Sequence, residues 1–247
     1  MEPIGLGEMD SIKLMNRVDT KFVTTESVLA RILEMADDRY RVLTMDGMQD
    51  SPYDTLYYDT PDLEMYTEHR NGHLVRQKVR TRTYLNSGET FLEIKRKNNH
   101  GRTKKKRMGI PRASFSTFGD IPEAASFLAE KSRYTSDRIC PALGTTFTRI
   151  TLVNNEKTER LTIDRDLRFH NVRTGLDASL PGAVIIELKQ DGLAASPMKE
   201  ILRELRVFPL RVSKYCIGTV LTDPAVRKGR FKEKVRAIEK IIDKKLQ

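Results

Sequence analysis

The alternation of side chains between Leu74 and Lys97 limits what this chain can fold into more tightly than any other feature. The stretch runs Leu-Val-Arg-Gln-Lys-Val-Arg-Thr-Arg-Thr-Tyr, turns through Asn86-Ser87-Gly88, and returns as Glu-Thr-Phe-Leu-Glu-Ile-Lys-Arg-Lys. Successive side chains of a strand point to opposite faces. Arg76, Lys78, Arg80, Arg82 and Tyr84 therefore share one face, with Val75, Val79, Thr81 and Thr83 on the other. On the returning strand Glu93, Lys95 and Lys97 oppose Leu92 and Ile94. Such a hairpin packs its apolar side and turns its cations to water or to an anion.

The pattern recurs along the chain. Segments at roughly 17–24, 53–59, 74–84, 90–97, 103–110, 145–154, 159–168 and 183–189 read as strands by alternation or by turn-bounded β-rich composition. Arg17, Asp19 and Lys21 oppose Val18 and Phe22; Lys105 and Arg107 oppose Met108 and Ile110; Arg149 opposes Ile150 and Leu152. Arg160, Thr162 and Asp164 oppose Leu161 and Ile163, and Glu187 and Lys189 oppose Val184, Ile186 and Leu188. Turn residues at Asn98-Asn99-His100-Gly101 and Asn154-Asn155-Glu156-Lys157 join adjacent strands, so the sheet is expected to be antiparallel.

Helical periodicity follows Thr25 (Val28, Leu29, Ile32, Leu33), runs from Asp62 to His69 and from Pro122 to Arg133, and resumes after Ser196-Pro197. It continues from Ser213 to Leu221 and from Ala225 to Leu246. The fold class read from this is α+β: an eight-stranded antiparallel β-barrel with a cationic interior, flanked by helices. For any one strand, a solvated polar face accounts for the pattern. Together the polar faces collect about ten Lys/Arg against three or four carboxylates, whereas solvated faces mix both signs. A tunnel lined this way repels itself unless a polyanion fills it.

The formal charge of +10 over 247 residues points to an anionic partner: nucleic acid, phosphate or an acidic membrane face. Beyond Asp223, nine Lys/Arg stand against Glu233, Glu239 and Asp243, so about +6 of the total lies at the C-terminus. One domain spanning 1–247 is expected, with 225–247 a basic amphipathic C-terminal helix. Two readings of that helix stay open: docked with a solvated basic side, or contacting acidic lipid or a membrane protein. No apolar run is long enough for a membrane span, and the N-terminus lacks a signal-peptide pattern. Cys140 and Cys216 do not make a disulfide scaffold, and His69, His73, His100 and His170 stand at metal-ligand spacing from neither. The expected setting is cytoplasmic, either free or at the cytoplasmic face of a membrane. Nothing here sets the oligomeric state.

In their order along the chain, several motifs resemble the triphosphate tunnel metalloenzymes, and specifically the VTC-type polyphosphate polymerase domain. They are Arg17-Val-Asp-Thr-Lys21-Phe, Tyr57-Tyr-Asp-Thr60, Lys78-Val-Arg-Thr-Arg-Thr-Tyr84, Phe91-Leu-Glu-Ile-Lys95 and Lys105-Lys-Arg107, then Arg149, Arg160-Leu-Thr-Ile-Asp164, Ile186-Glu-Leu-Lys189 and Arg211-Val-Ser-Lys214-Tyr. The resemblance runs from Arg17 to about Leu221 and implies an eight-stranded antiparallel tunnel. It implies that Arg80, Arg82, Lys95, Arg149 and Arg160 act on the reacting phosphates, and that Lys21, Lys105, Arg107, Lys189, Arg211 and Lys214 bind phosphate. Glu187 resembles the carboxylate that holds a divalent metal, Mn²⁺ or Mg²⁺, with Glu93 a second contact. Lys104, Lys105 and Lys106 leave the register of that strand open.

The first strand separates branches of the family. The adenylate-cyclase and triphosphatase branch resembles Glu-x-Glu-x-Lys there, whereas this chain has Arg17-Val-Asp19-Thr-Lys21. An arginine in place of the first carboxylate favours another phosphate over water activation. The resemblance therefore implies transfer of the terminal phosphoryl group of ATP to a growing polyphosphate chain. The rivals are a tripolyphosphatase of the same fold and a nucleic-acid-binding module. Nucleic acid is not expected as a partner, because Trp is absent and of the aromatic residues only Tyr84 reads clearly as lying on a cationic strand face.

Overall fold

The computed structural model describes residues 1–246 except 13, 15, 16, 101, 193 and 194, with Asp10 and Ser11 described as backbone alone. Gly101 of the expected turn and Gln247 at the chain end lie outside the described residues. The first half runs β1 (Glu2–Ile4), α1 (Leu6–Ser11), β2 (Arg17–Thr25), α2 (Glu26–Met35), β3 (Tyr40–Leu43), β4 (Ser51–Asp59), α3 (Glu64–Asn71), β5 (Arg76–Tyr84), β6 (Thr90–Lys97) and β7 (Thr103–Ile110). The second half runs α4 (Pro122–Lys131), β8 (Cys140–Asn154), β9 (Glu159–Asn171), β10 (Asp177–Ser179), β11 (Ala183–Asp191), α5 (Pro197–Glu204), α6 (Lys214–Thr222) and α7 (Phe231–Ile242).

Eight strands form one antiparallel path in the order β2-β11-β9-β8-β4-β5-β6-β7, and they are the eight expected from alternation. Short strands hang off it: β3 on β8, β1 parallel to β3, and β10 on β9. Five steps separate β6 from β11 along the path, about 24 Å across a flat sheet. Lys95 of β6 nevertheless lies within the field of Glu187 on β11 and Lys21 on β2. The sheet therefore curls into a half-barrel, flanked by the seven α-helices of the described residues. Its two end strands, β2 and β7, do not pair with each other. β7 is exposed over most of its length and carries Lys104, Lys105 and Lys106, a charge pattern that discourages further strand addition.

Local chemistry fixes the helix starts. Thr25 caps α2 by accepting from the Val28 amide at 3.4 Å, and Ser196 caps α5 by accepting from Lys199 at 3.1 Å. The helix expected from Asp62 begins at Glu64, because Leu63 takes a left-handed conformation (φ 56°) and the Asp59 carboxylate accepts from the Met65 and Tyr66 amides. The helix expected from Ala225 begins six residues later, after Gly229 at φ 49°.

The convex face packs apolar side chains under the helices. Phe22, Leu161, Ile163, Val184, Ile186 and Leu188 pack under α2 and α5, and Leu56, Tyr58, Val79, Leu92 and Ile94 pack under α4. The concave face carries the expected cations but is divided. Val23, Leu143, Phe169, Ala183 and Ile185 share the inner side with the cations but form an apolar end, covered by α6 and α7. α6 is buried on nearly every side, as an all-round apolar helix must be. A Cβ on its Gly218 would fall 2.5 Å from the Phe169 ring and 2.6 Å from Leu143, so the helix seats directly on the sheet. α7 docks through Phe231, Val235 and Ile238, leaving Lys232, Arg236 and Lys240 exposed. No helix among the described residues is long and apolar enough to cross a membrane.

Candidate functional site

The other end of the concave face is a cationic cluster organised by three carboxylates, each engaged by two cations. Glu93 on β6 accepts from Arg80 on β5 at 2.7 Å and from Lys105 on β7 at 3.0 Å. Asp164 on β9 accepts a two-pronged contact from Arg149 on β8, at 2.6 and 2.9 Å, and a bond from Lys214 at the start of α6. Glu187 on β11 pairs with Lys21 on β2 at 3.4 Å and with its own strand neighbour Lys189 at 3.3 Å. Strand register produces each set: Arg80 stands opposite Glu93, Arg149 opposite Asp164, and Lys21 opposite Glu187. The pairing of Lys95 with Lys105 fixes the open register of β7 and turns Lys105 inward.

Three further cations, Lys78, Arg82 and Lys95, have no carboxylate partner among the described residues. Lys78 donates to Ser213 Oγ at 2.8 Å, and Arg82 donates to Thr55 Oγ1 at 3.1 Å. Lys95 makes no hydrogen bond or ion pair among the described residues. Repulsion from Arg80, together with burial, holds its ammonium well below the usual lysine range. Burial and Arg80 likewise bring Arg82 down to about 10. Burial lowers Lys214 to about 8, against the pull of Asp164 and with the push of Arg149 and Lys21. A group that is costly to charge in the empty groove is one an incoming anion relieves.

Burial pushes the carboxyls of Glu93, Asp164 and Glu187 up, but their cations win and hold all three below the ordinary carboxylate range. The same field acts on Tyr57. Burial alone raises a phenol, yet Arg80, Arg82, Lys78 and Lys214 bring this one down to about 8. Its oxygen lies 3.2 Å from Arg80 Nη1.

Aromatic rings stand among the cations, which corrects the sequence reading that only Tyr84 did so clearly. Tyr53 and Phe147 stack at 5.2 Å, and the guanidinium groups of Arg82 and Arg149 lie 5.0–5.5 Å from their centres. Lys214 sits 4.7 Å from the Phe147 ring. The rings are buried, so they back the guanidinium planes and present no open stacking face.

Of the expected site residues, Lys21, Arg80, Arg82, Lys95, Lys105, Arg149, Lys189, Lys214, Glu93 and Glu187 share the inner face. Arg160 is half-buried opposite Lys189 in register and lies within its field. Arg107 is exposed with its guanidinium 4.7 Å from the Phe91 ring, and Arg211 is exposed just before α6. Neither reaches the three carboxylates. Asp164, Lys78, Tyr57 and Ser213 belong to the cluster but were not among the expected site residues. For Asp164 the signal was present, since it shares parity with Arg160 and Thr162. The first strand's remaining carboxylate, Asp19, is taken by Arg17 at 2.7 Å.

Among the described residues no three His, Cys, Asp or Glu side chains gather as a metal cluster. Glu93 is fully buried, with Oε2 accepting from Arg80 and Oε1 from Lys105. Glu187 is partly open, and its two ion pairs are the longest of the cluster. A single carboxylate plus phosphate oxygens is a donor set that suits Mg²⁺ or Mn²⁺. Glu187 fits that role, and Glu93 fits the orientation of Arg80.

Several solved structures resemble this one in shape at low sequence identity. An adenylyl cyclase-named protein of Hippeastrum, described as having a dominant triphosphatase activity, aligns at 13% identity over 83% of this chain and 95% of that one, with a TM-score of 0.53. An adenylate cyclase-named protein of Vibrio parahaemolyticus aligns at 12% over 81% and 96%, with a TM-score of 0.46. A Pyrococcus horikoshii protein aligns at 15% over 83% and 98%, with a TM-score of 0.45. No curated protein sequence matches the chain. The VTC domain model matches residues 16–222, from the first strand of the half-barrel to the end of α6, and the chain belongs to the VTC domain family.

Proposed function

We propose that this protein is an ATP-dependent polyphosphate polymerase that transfers the terminal phosphoryl group of ATP to a growing polyphosphate chain, releasing ADP. The observation that carries the reading is the charge arrangement of the groove. Glu93, Asp164 and Glu187 are each neutralised by two cations, while Lys78, Arg82 and Lys95, without a carboxylate partner among the described residues, remain for an anion. The paired Arg17–Asp19 on the first strand leaves no free carboxylate there to activate water. A terminal phosphate acceptor is already ionised near neutral pH, so the transfer asks for alignment and charge neutralisation rather than for a base.

In this mechanism Arg80, Arg82, Lys95 and Arg149 clamp donor and acceptor phosphates in line. Glu93 and Asp164 hold Arg80 and Arg149 in place for that task, and the rings of Tyr53 and Phe147 keep the guanidinium planes from rotating. Lys214, aimed from α6, neutralises the phosphate nearest the plugged end. Mg²⁺ or Mn²⁺, when bound at Glu187, supplies further neutralisation of charge on the triphosphate.

Purified protein incubated with ATP and Mn²⁺ is expected to yield long polyphosphate on a gel with ADP in matching amount. Release of orthophosphate without polymer overturns the reading and favours the rival, a tripolyphosphatase. That rival draws on the activity described for the Hippeastrum protein. ATP and polyphosphate are the proposed partners, with nucleic acid set aside because the rings near the cations are buried.

A further inference from the structure

The row of cations does not end with the cluster just described. Arg76 precedes Lys78, Arg80 and Arg82 on the same face of β5, and its register partner on β6 is Lys97. Beyond this pair the chain brings in residues from elsewhere. Arg76 Nη1 donates to the His73 carbonyl at 2.6 Å, directly after α3. The C-cap of α3, Gly72 at φ 81°, lies flat against the Arg230 guanidinium, which an added Cβ would strike at 2.4 Å. Arg230 Nη2 also faces the Asn71 carbonyl at 3.4 Å. One turn further along α7, Lys234 donates to the backbone carbonyl of Arg211 at 2.5 Å. Arg76, Lys97, Arg211, Arg230 and Lys234 thus gather at one mouth of the groove. Among the described residues none of the five forms an ion pair with a carboxylate. Lys97 is lowered by burial and then by Arg76 and Arg211; Lys234 is lowered by burial, against Cys216, and then by Arg230, Arg211 and Arg76; and Arg76 is lowered by burial and by Arg230, with Cys216 and Glu68 pulling the other way.

This arrangement has no stabilising purpose inside the protein, since five like charges held together repel. Side-chain neutralisation is available, because Glu233 and Glu239 stand on the same helix, yet neither is used on this patch. Two of the five, Arg230 at the N-cap of α7 and Lys234 within it, lie outside the residues matched by the family model. The row from Arg82 to Arg76 spans about 20 Å of strand, at ~3.3 Å per residue. It leads into the mouth without a break in sign.

We propose that Arg76, Lys97, Arg211, Arg230 and Lys234 form a second phosphate-binding segment, which holds the part of a condensed phosphate chain that extends beyond the groove. α7 is then part of the polyanion-binding surface and not a lipid contact. The inference rests on the polyphosphate reading of the groove, but its ligand is a long phosphate chain whatever reaction the groove performs.

The test uses the full chain and two probes, long-chain polyphosphate and tripolyphosphate, with affinity followed by competition against a fluorescent polyanion at physiological salt. R230Q/K234Q is expected to weaken long-chain binding about tenfold and tripolyphosphate binding less than about twofold, as expected for lost counterion-releasing contacts. R230K/K234R, which keeps both charges, is expected to restore the long-chain affinity. K97Q, on a strand rather than on α7, is expected to act in the same direction, which separates lost charge from a disturbed helix. Unchanged long-chain affinity in both Gln variants overturns the proposal, as does equal loss for both probes. Loss of binding to vesicles rich in anionic lipid, with polyphosphate binding intact, assigns α7 to a membrane and also overturns it. If wild-type protein makes no polymer from ATP but shows the α7-dependent preference for long chains, the polymerase reading fails and this inference stands.

Discussion

Arg80 is gripped by Glu93 through two nitrogens and touches Tyr57 with a third, so its guanidinium has one orientation. Replacing it with Ala is expected to cut ATP turnover by roughly 10- to 1000-fold, in the range seen when one transition-state hydrogen-bond donor is lost. Glu187→Ala is expected to have a comparable effect that excess Mn²⁺ does not fully rescue. Glu93 makes the opposite kind of contribution. Its carboxyl is held low in the folded protein, so the stability it adds is complete above the ordinary carboxylate range and is lost as pH falls below it. Urea unfolding of the wild type is expected to weaken steeply below about pH 5, and Glu93→Gln to flatten that dependence while lowering stability near neutral pH. Tyr57 offers an optical readout. One phenol is expected to ionise near pH 8, visible in the ultraviolet difference spectrum and absent in Tyr57→Phe. Added tripolyphosphate is expected to push that ionisation to higher pH, because it neutralises the cations that favour the phenolate.

At the scale of elements, α6 decides which part of the concave face is open. Gly218 is its contact point with Phe169 and Leu143, where no Cβ fits. Gly218→Val is expected to cost about 1–3 kcal/mol in denaturant unfolding and, by lifting Lys214 away from Asp164, to weaken tripolyphosphate binding as well. The eight strands of the half-barrel were legible because each has an apolar side facing α2, α4 or α5 and a charged side facing inward. β1, β3 and β10 are too short for alternation to register. The plug was harder to see. Val23, Ala183 and Ile185 share parity with the charged residues of their own strands, and Phe169 joins them because β9 bulges around Asp166 (φ 53°) and its alternation reverses there. Parity assigns a side chain to a face but does not tell one end of that face from the other. The clue lay in α6 itself, whose Tyr-Cys-Ile-Gly-Thr-Val-Leu-Thr run has no polar stripe to present to water. The contact between Cys216 and His69, 3.1 Å apart across 147 residues, was beyond the reach of any spacing rule. Burial drives the His69 imidazole down to about 2, so the pair is a neutral packing contact.

Taken whole, the molecule concentrates like charge on one concave surface and carries a formal +10. A bound polyanion relieves that repulsion only in the folded state. Tripolyphosphate at about 100 times its dissociation constant is therefore expected to add about 2.7 kcal/mol of stability, read as a rise in melting temperature that shrinks as salt is added. Among the described residues β2 and β7 do not pair with each other, and the outer edge of β2 is bridged where Phe22 meets Pro209 and the Leu210 amide donates to the Lys21 carbonyl at 2.8 Å, so the container is a trough partly closed along one edge and not a sealed pipe. A thread inside a pipe has to slide out end first, at a delay that grows with its length. One lying in a trough can peel out sideways, link by link, so if the groove makes a polymer as proposed, its release is expected not to slow as the polymer lengthens.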